Sequence, residues 1–296
     1  MTRTAAAEIV VTGCHGQLGS ELCRQWGQPA IGLDLPELDL TEAQRTAETL
    51  LRLAPRVVVN TAAYTLVDRA EEEPERCRAI NAHAVRVLAD VCRQLDAVLV
   101  QISTDYVFGQ DTTRHAPYTE SDPPGPLNVY GQTKLEAERY AAGWARHFIV
   151  RTCGLYGRLG PRSPGNFVAT MLRLAQQGRA LRVVDDQRCC PSFVPHVARA
   201  IRFLVTTSAY GTYHVVNTGS ATWYELAAEL FRQAGYQVQL TPITTAEYGP
   251  RARRPAYSAL DTTKYHALPG APPMPAWQDG LAEYLRSAQN AGPDAP

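Results

Sequence analysis

The 296-residue chain has no uninterrupted apolar run near the roughly 20 residues that span a bilayer, so no transmembrane helix is expected. It also lacks an excess of either charge. Its 29 basic and 29 acidic residues cancel, which removes long-range attraction to nucleic acid or to an anionic membrane. Cysteine occurs seven times, but without the paired C-x-x-C spacing and nearby histidines of a zinc site. Cys14, Cys23, Cys77, Cys92, Cys153, Cys189 and Cys190 therefore read as reduced thiols, and no metal is expected from them. The amino-terminal MTRTAAA lacks the hydrophobic segment of a signal peptide, which points to a cytoplasmic protein. No internal repeat or low-complexity tract is present, and only the tail beyond about Gln289 reads as disordered.

What is present is length and alternation. The chain exceeds the usual single-domain size, so a large α/β body with a second lobe is expected. Short β-branched runs at Ile9 to Thr12, Val57 to Val59, Val98 to Ile102 and Phe148 to Thr152 alternate with helical patterns. Those helices cover Leu18 to Trp26, a segment opened by a capping box of Thr41 and Gln44, Ile80 to Val91, and Tyr130 to about Gly143. Such alternation predicts a doubly wound, Rossmann-like parallel sheet wrapped by helices. GRLGPRSPG at residues 157 to 165 interrupts the pattern and marks the edge of a smaller, proline-richer C-terminal lobe. Beyond it come a helix near Phe167 to Gln177, a strand at Leu181 to Val184 and a helix near Val197 to Val205. A strand at Tyr213 to Val216 and a helix capped by Thr222 and Glu225 follow. The expected division is 1–155 with 181–217 for a dinucleotide, and 156–180 with 218–296 for a substrate.

The glycines of TGCHGQLG, Gly13, Gly16 and Gly19, fall between the first strand and first helix, where a tight turn exposes helix N–H groups to a pyrophosphate. Their spacing of three and three departs from the standard dinucleotide fingerprint. Asp34, 21 residues past Gly13, would hydrogen-bond an adenosine ribose and repel a 2′-phosphate, which favours NADH. Asp39 could take the same place, so NADPH and NADH both stay open. Asn60 to Tyr64 ends the third strand, where Ala62 and Ala63 leave room for a ligand. Tyr130 and Lys134, four apart, share one helix face, and a nearby ammonium should bring a phenol closer to neutrality. Thr104, at a strand end, could hold the same carbonyl oxygen.

Taken together, GCHGQLG, NTAAYT, STDYVFG, PLNVYGQTKLEAE, NFVATMLRLA and RRPAYSALD resemble the extended short-chain dehydrogenase/reductases over roughly residues 8 to 286. Within them the likeness is to the branch that reduces dTDP-4-keto-6-deoxysugars, dTDP-4-dehydro-L-rhamnose first among them. This resemblance implies Tyr130 as the acid, Lys134 as its activator and a ribose ligand, and Thr104 as the carbonyl-polarising hydroxyl. It implies a dinucleotide wall of Gly13, Gly16, Gln17, Leu18, Gly19, Asp39, Leu40, Ala62, Ala63 and Tyr64. Asp105, Tyr106, Asn166, Phe167 and Arg254 would serve the sugar nucleotide. Cys153, Gly154 and the stretch Asp186 to Ser192 depart from the family pattern on the substrate side, which keeps a related sugar, such as that of a dihydrostreptose-type synthase, as an alternative. Some members form a homodimer through magnesium held by glutamates, one of which would fall near Cys190; magnesium is therefore not predicted. A non-catalytic, dinucleotide-binding regulatory subunit is the alternative of another class, and it predicts decay of Thr104, Tyr130 and Lys134, all of which are present. A dehydratase would place an Asp-Glu pair where Asp105 and Tyr106 stand.

Overall fold

The computed structural model describes residues 8–290. Six strands form one sheet: β1 Ile9–Thr12, β2 Ala30–Leu33, β3 Val57–Asn60, β4 Val98–Thr104, β5 His147–Thr152 and β10 Gly211–His214. Their order across the sheet is β2-β1-β3-β4-β5-β10, and every pairing is parallel. All four residues of β1 and all seven of β4 are buried, as strands covered by helices on both faces must be. The chain leaves β1 toward β2 on one side and returns to β3 on the other, so the direction of winding reverses between β1 and β3. A crevice opens at the carboxyl ends of the strands there.

One face of the sheet is covered by α1 Gln17–Trp26 and α8 Val194–Leu204, with Leu18, Leu22, Val197, Ile201 and Leu204 in the shared core. The other face carries α2 Ala43–Leu53, α5 Ala84–Leu95 and α6 Val129–Ala142, which bury Leu50, Leu88 and Ala137 among others. Short helices α3 Val67–Ala70 and α4 Pro74–Arg78 lead into a π-helical turn at Ala79–His83 that runs on into α5. A separate cluster packs α7 Phe167–Gln176, α9 Trp223–Ala234 and Leu281 of α12 Trp277–Asn290 around Leu181, Val183 and Phe193. Small pairs complete the fold: β6 Leu155–Tyr156 with β9 Ser192–Phe193, β8 Arg188–Cys189 with β11 Ala221–Thr222, and β7 Leu181–Val184 with β12 Leu240–Ile243. Helical turns α10 Thr245–Tyr248 and α11 Thr263–His266 lie on the C-terminal stretch.

Three local expectations need correction. Thr41 and Gln44 do not cap α2: Thr41 is drawn back by Asp39, whose carboxylate accepts its N–H and hydroxyl, and the helix starts at Ala43 after Glu42. The strand at Leu181–Val184 pairs with β12 and packs against α9 rather than joining the six-stranded sheet. Helix α8 starts at Val194, ahead of Val197, because Pro195 suits a first turn that needs no N–H donor. The capping box of Thr222 and Glu225 is formed, and a second stands at Thr244 and Glu247. The tail beyond Gln289 lies outside the residues whose side chains are described.

Candidate active site

A cleft of about 880 Å³ runs along the carboxyl edge of the sheet from the first glycine turn to the loops around Trp223 and Ser258. At one end β1 turns sharply: Gly13 has a φ of 73°, and a Cβ there would stand 2.5 Å from the Ala62 nitrogen. Only glycine fits. Helix α1 then begins after Gly16, which offers no side chain to cap it, so its first N–H groups stay available to an anion. Beneath the turn a buried chain of hydrogen bonds crosses the sheet, from the Thr12 hydroxyl to Asn60 (2.7 Å) and from the Asn60 amide to Gln101 (2.8 Å). It fixes the strand ends that carry the cleft wall.

Asp34 follows directly after β2 and accepts the N–H of His15 (2.9 Å) and of Leu35 (2.8 Å). Asp39 is spent on Thr41, although it too lines the cleft. Cys14, His15 and Asp34 bring ligand atoms within 4.8 Å of one another. Burial and the neighbouring Cys23 and Asp34 push the Cys14 thiol up to about 11, so near neutrality it carries its proton, and of the three only Asp34 lines the cleft.

Near the middle of the cleft, β4 and α6 meet. Asn128 caps α6 by accepting the Gly131 N–H at 2.8 Å, and this sets Tyr130 and Lys134 on the face turned to β4. Lys134 is buried, and its Nζ donates to the Ile102 carbonyl at 2.5 Å. Burial pulls it down to about 8, with Glu138 working the other way. One turn further on, Glu138 takes a bidentate grip from Arg151 (2.9 and 2.7 Å) and the Ser103 hydroxyl (2.5 Å). Removing one member of such a buried pair typically costs about 3–5 kcal/mol, because the other is left as a stranded charge.

Burial pushes the Tyr130 phenol upward, and the adjacent Thr104 hydroxyl pulls it back. This corrects the expectation for Lys134: desolvation outweighs any help from the ammonium, which is engaged with a backbone carbonyl. Thr104 donates to Asp105 at 3.0 Å and accepts the Tyr106 N–H at 3.1 Å. Asp105 is itself buried, which lifts its carboxyl to about 6 against the pull of the Ser258 and Thr104 hydroxyls. The Tyr106 and Tyr130 rings meet edge to face at 6.0 Å.

Of the residues singled out in the sequence, Gly13, Gly16, Gln17, Leu18, Asp34, Asp39, Leu40, Ala62, Ala63, Thr104, Asp105, Tyr106, Tyr130 and Lys134 line this one cleft. Five stand behind it. Gly19 packs on the Gly13 carbonyl, and Tyr64 is held by Asn81 through its N–H (2.8 Å) and by Glu73. Asn166 caps α7 and donates to Gln17, while Phe167 packs on Trp223. Arg254, expected to face a phosphate, has its fork on Asp68 at 3.0 and 2.8 Å, where the negative charge is. Asn81 and Ser258 escaped the sequence reading, although Asn81 is a buried amide on an otherwise apolar helical face and Ser258 stands inside the quoted RRPAYSALD.

Comparison with known families decides the relationship. The family model described as the RmlD substrate binding domain matches residues 7–290. The chain belongs to that family. Among its relatives is the Bacillus subtilis spore coat polysaccharide biosynthesis protein SpsK, 36% identical and covering 96% of this chain and 99% of that one. A dTDP-4-dehydrorhamnose reductase of Streptomyces griseus is 39% identical, with 93% and 91% covered. The crystal structure of dTDP-4-dehydrorhamnose reductase from Bacillus anthracis in complex with NADP superposes with a TM-score of 0.89 at 37% identity, covering 96% of this chain and all of the other. For this RmlD family member the Rossmann-like fold is thus established by both sheet order and likeness. Among the described residues, no helix is long and apolar enough to cross a membrane.

Proposed function

We propose that the chain is an NADPH- or NADH-dependent reductase of a dTDP-4-keto-6-deoxysugar, with dTDP-4-dehydro-L-rhamnose as substrate and dTDP-L-rhamnose as product. The observation that carries this reading is the convergence of Thr104, Tyr130 and Lys134 at the carboxyl end of β4, beside a cleft that begins at an uncapped helix N-terminus. The named relatives support the substrate class. In this reading the six-stranded sheet carries the dinucleotide, and the cluster around α7, α9 and β7 carries the sugar end, so Leu181–Val184 goes with the sugar. All seven cysteines are free thiols, which suits a reducing, cytoplasmic setting.

The bound nicotinamide would supply the hydride to the sugar C4. Tyr130 gives its proton to the carbonyl oxygen, so a C–H and an O–H bond form as the C=O double bond is reduced. Thr104 turns its hydroxyl from Asp105 to the same oxygen and stabilises the charge developing there. Lys134, fixed by the Ile102 carbonyl, keeps a positive charge beneath the reacting groups and returns a proton path to the phenolate. A second substrate, another dTDP-4-keto-6-deoxysugar, is favoured by one observation: Cys153, Gly154 and Cys189 line the cleft on the substrate side.

The test is consumption of reduced nicotinamide with dTDP-4-dehydro-L-rhamnose generated in situ, comparing the unaltered chain with Tyr130→Phe. Turnover by the first and a fall of about 10² to 10⁴-fold in the second supports the acid role. Dinucleotide binding without turnover of any dTDP-keto-sugar sinks the reductase reading in favour of a binding subunit.

A further inference from the structure

The cleft wall carries three arginines with very different surroundings: Arg76, Arg162 and Arg188. Arg76 pairs with Glu73 at 3.2 Å, and Arg188 with Glu225 at 2.8 Å. Arg162 has no carboxylate within ion-pair distance among the described residues. Its place is fixed by backbone alone. Its N–H donates to the His15 carbonyl (3.0 Å), and one guanidinium N–H donates to the Leu35 carbonyl (3.0 Å), 127 positions away in sequence. The loop that brings it there lies directly on the glycine turn, since a Cβ on Gly160 would stand 2.4 Å from the His15 oxygen and 2.5 Å from that of Gly16. Gly160 and Ser163 close the loop on itself with reciprocal 3.0 Å hydrogen bonds.

That position is the adenosine end of the cleft, beside Asp34 at the close of β2. A lone carboxylate there would favour the free 2′-hydroxyl of NADH and repel the phosphate of NADPH. Its neighbours Leu35 and Pro36 offer no positive charge in compensation. Asp34 is, however, already accepting two backbone N–H groups, and Arg162 keeps four of its five donors for something else. We propose that Arg162, presented by the loop of residues 157–165, is the residue that reads the 2′-phosphate of the dinucleotide and makes NADPH the tighter-bound cofactor. An unpaired guanidinium fork facing a cleft matches the oxygens of a phosphate monoester. This inference rests on the reductase reading but concerns only the cofactor end, so it is tested by binding and not by turnover.

The full chain is titrated with NADPH and with NADH by fluorescence, and 2′,5′-ADP and 5′-AMP are compared as displacing probes. In Arg162→Ala the ratio of NADPH to NADH affinity falls by about 10- to 100-fold, the usual worth of charge-assisted hydrogen bonds, and 2′,5′-ADP loses its advantage over 5′-AMP. Arg162→Lys, which keeps the charge without the fork, falls between. An unchanged ratio in Arg162→Ala overturns the inference. So does an unaltered chain that binds NADH alone, which leaves the reductase reading standing. If the unaltered chain binds neither dinucleotide, both fall together.

Discussion

At the proposed dinucleotide end of the cleft the wall is largely backbone: a Gly13 turn, the open end of α1, and the small residues Ala62 and Ala63. At the proposed sugar end and behind its wall, side chains are brought together from far apart. Ser258 reaches Asp105 across 153 positions, Asn166 reaches Gln17 across 149, and Arg254 reaches Asp68 across 186. Backbone recognition of a pyrophosphate is cheap in sequence, because a few glycines at the right turn suffice. Recognition of a particular sugar needs distant chemistry to converge, and such contacts change one residue at a time.

If the two ends work independently, their variants should fail in different ways. Beyond the Tyr130→Phe test, the largest effect is expected from Thr104→Ala: kcat falls by about 10² to 10³-fold, as on loss of one donor to a developing oxyanion, while dinucleotide affinity shifts by far less. A matching loss of cofactor affinity would break the comparison. Gly13→Ala should do the reverse. The added methyl meets the Ala62 backbone at a left-handed φ, so urea unfolding should show about 1–3 kcal/mol of lost stability, together with weakened binding of either dinucleotide. Retention of both would mean that the turn is looser than its geometry.

The smallest effect is one of pH. With Lys134 near 8, turnover should decline as pH rises through 8, because the ammonium under the phenol is lost. Asp105, raised to about 6, is protonated more readily folded than unfolded. Its contribution to stability is therefore present in acid and lost as pH rises through the interval between its ordinary value and about 6. Ser258→Ala removes a hydroxyl that favours the carboxylate, so Asp105 should titrate higher still. The acid limb of the rate profile should move upward, with a loss of about tenfold at pH 6 from one charge-assisted hydrogen bond. An unmoved acid limb would detach Asp105 from the chemistry of Thr104.

The same contrast explains what could be read in advance. The parallel sheet, the glycine turn and the Tyr130–Lys134 pair are local patterns, carried by periodicity and by four-residue spacing. The pairing of Arg254 with Asp68 is not legible in the sequence, because nothing near Arg254 announces a partner 186 positions away. The capping box at Thr41 failed because Asp39, two residues earlier, competes for the same hydroxyl. Leu181–Val184 is a good strand by composition, yet its partner is decided by packing against α9. Arg162 sits in a segment whose glycines and prolines suggest only a break, and its meaning appears when the loop is laid over the first turn.

Helix α6 sets Tyr130, Lys134 and Glu138 on three successive turns of one face, the last locked to Arg151 and Ser103 beneath the sheet edge. Adding or deleting one residue between Tyr130 and Glu138 would rotate one part of that face against the other by about 100°. Phenol and ammonium could then not face the cleft while the carboxylate kept its grip. The segment is consequently closed to changes of length, although point changes on its outer surface are free, and any drift of this fold toward new sugars has to come from the loops around it.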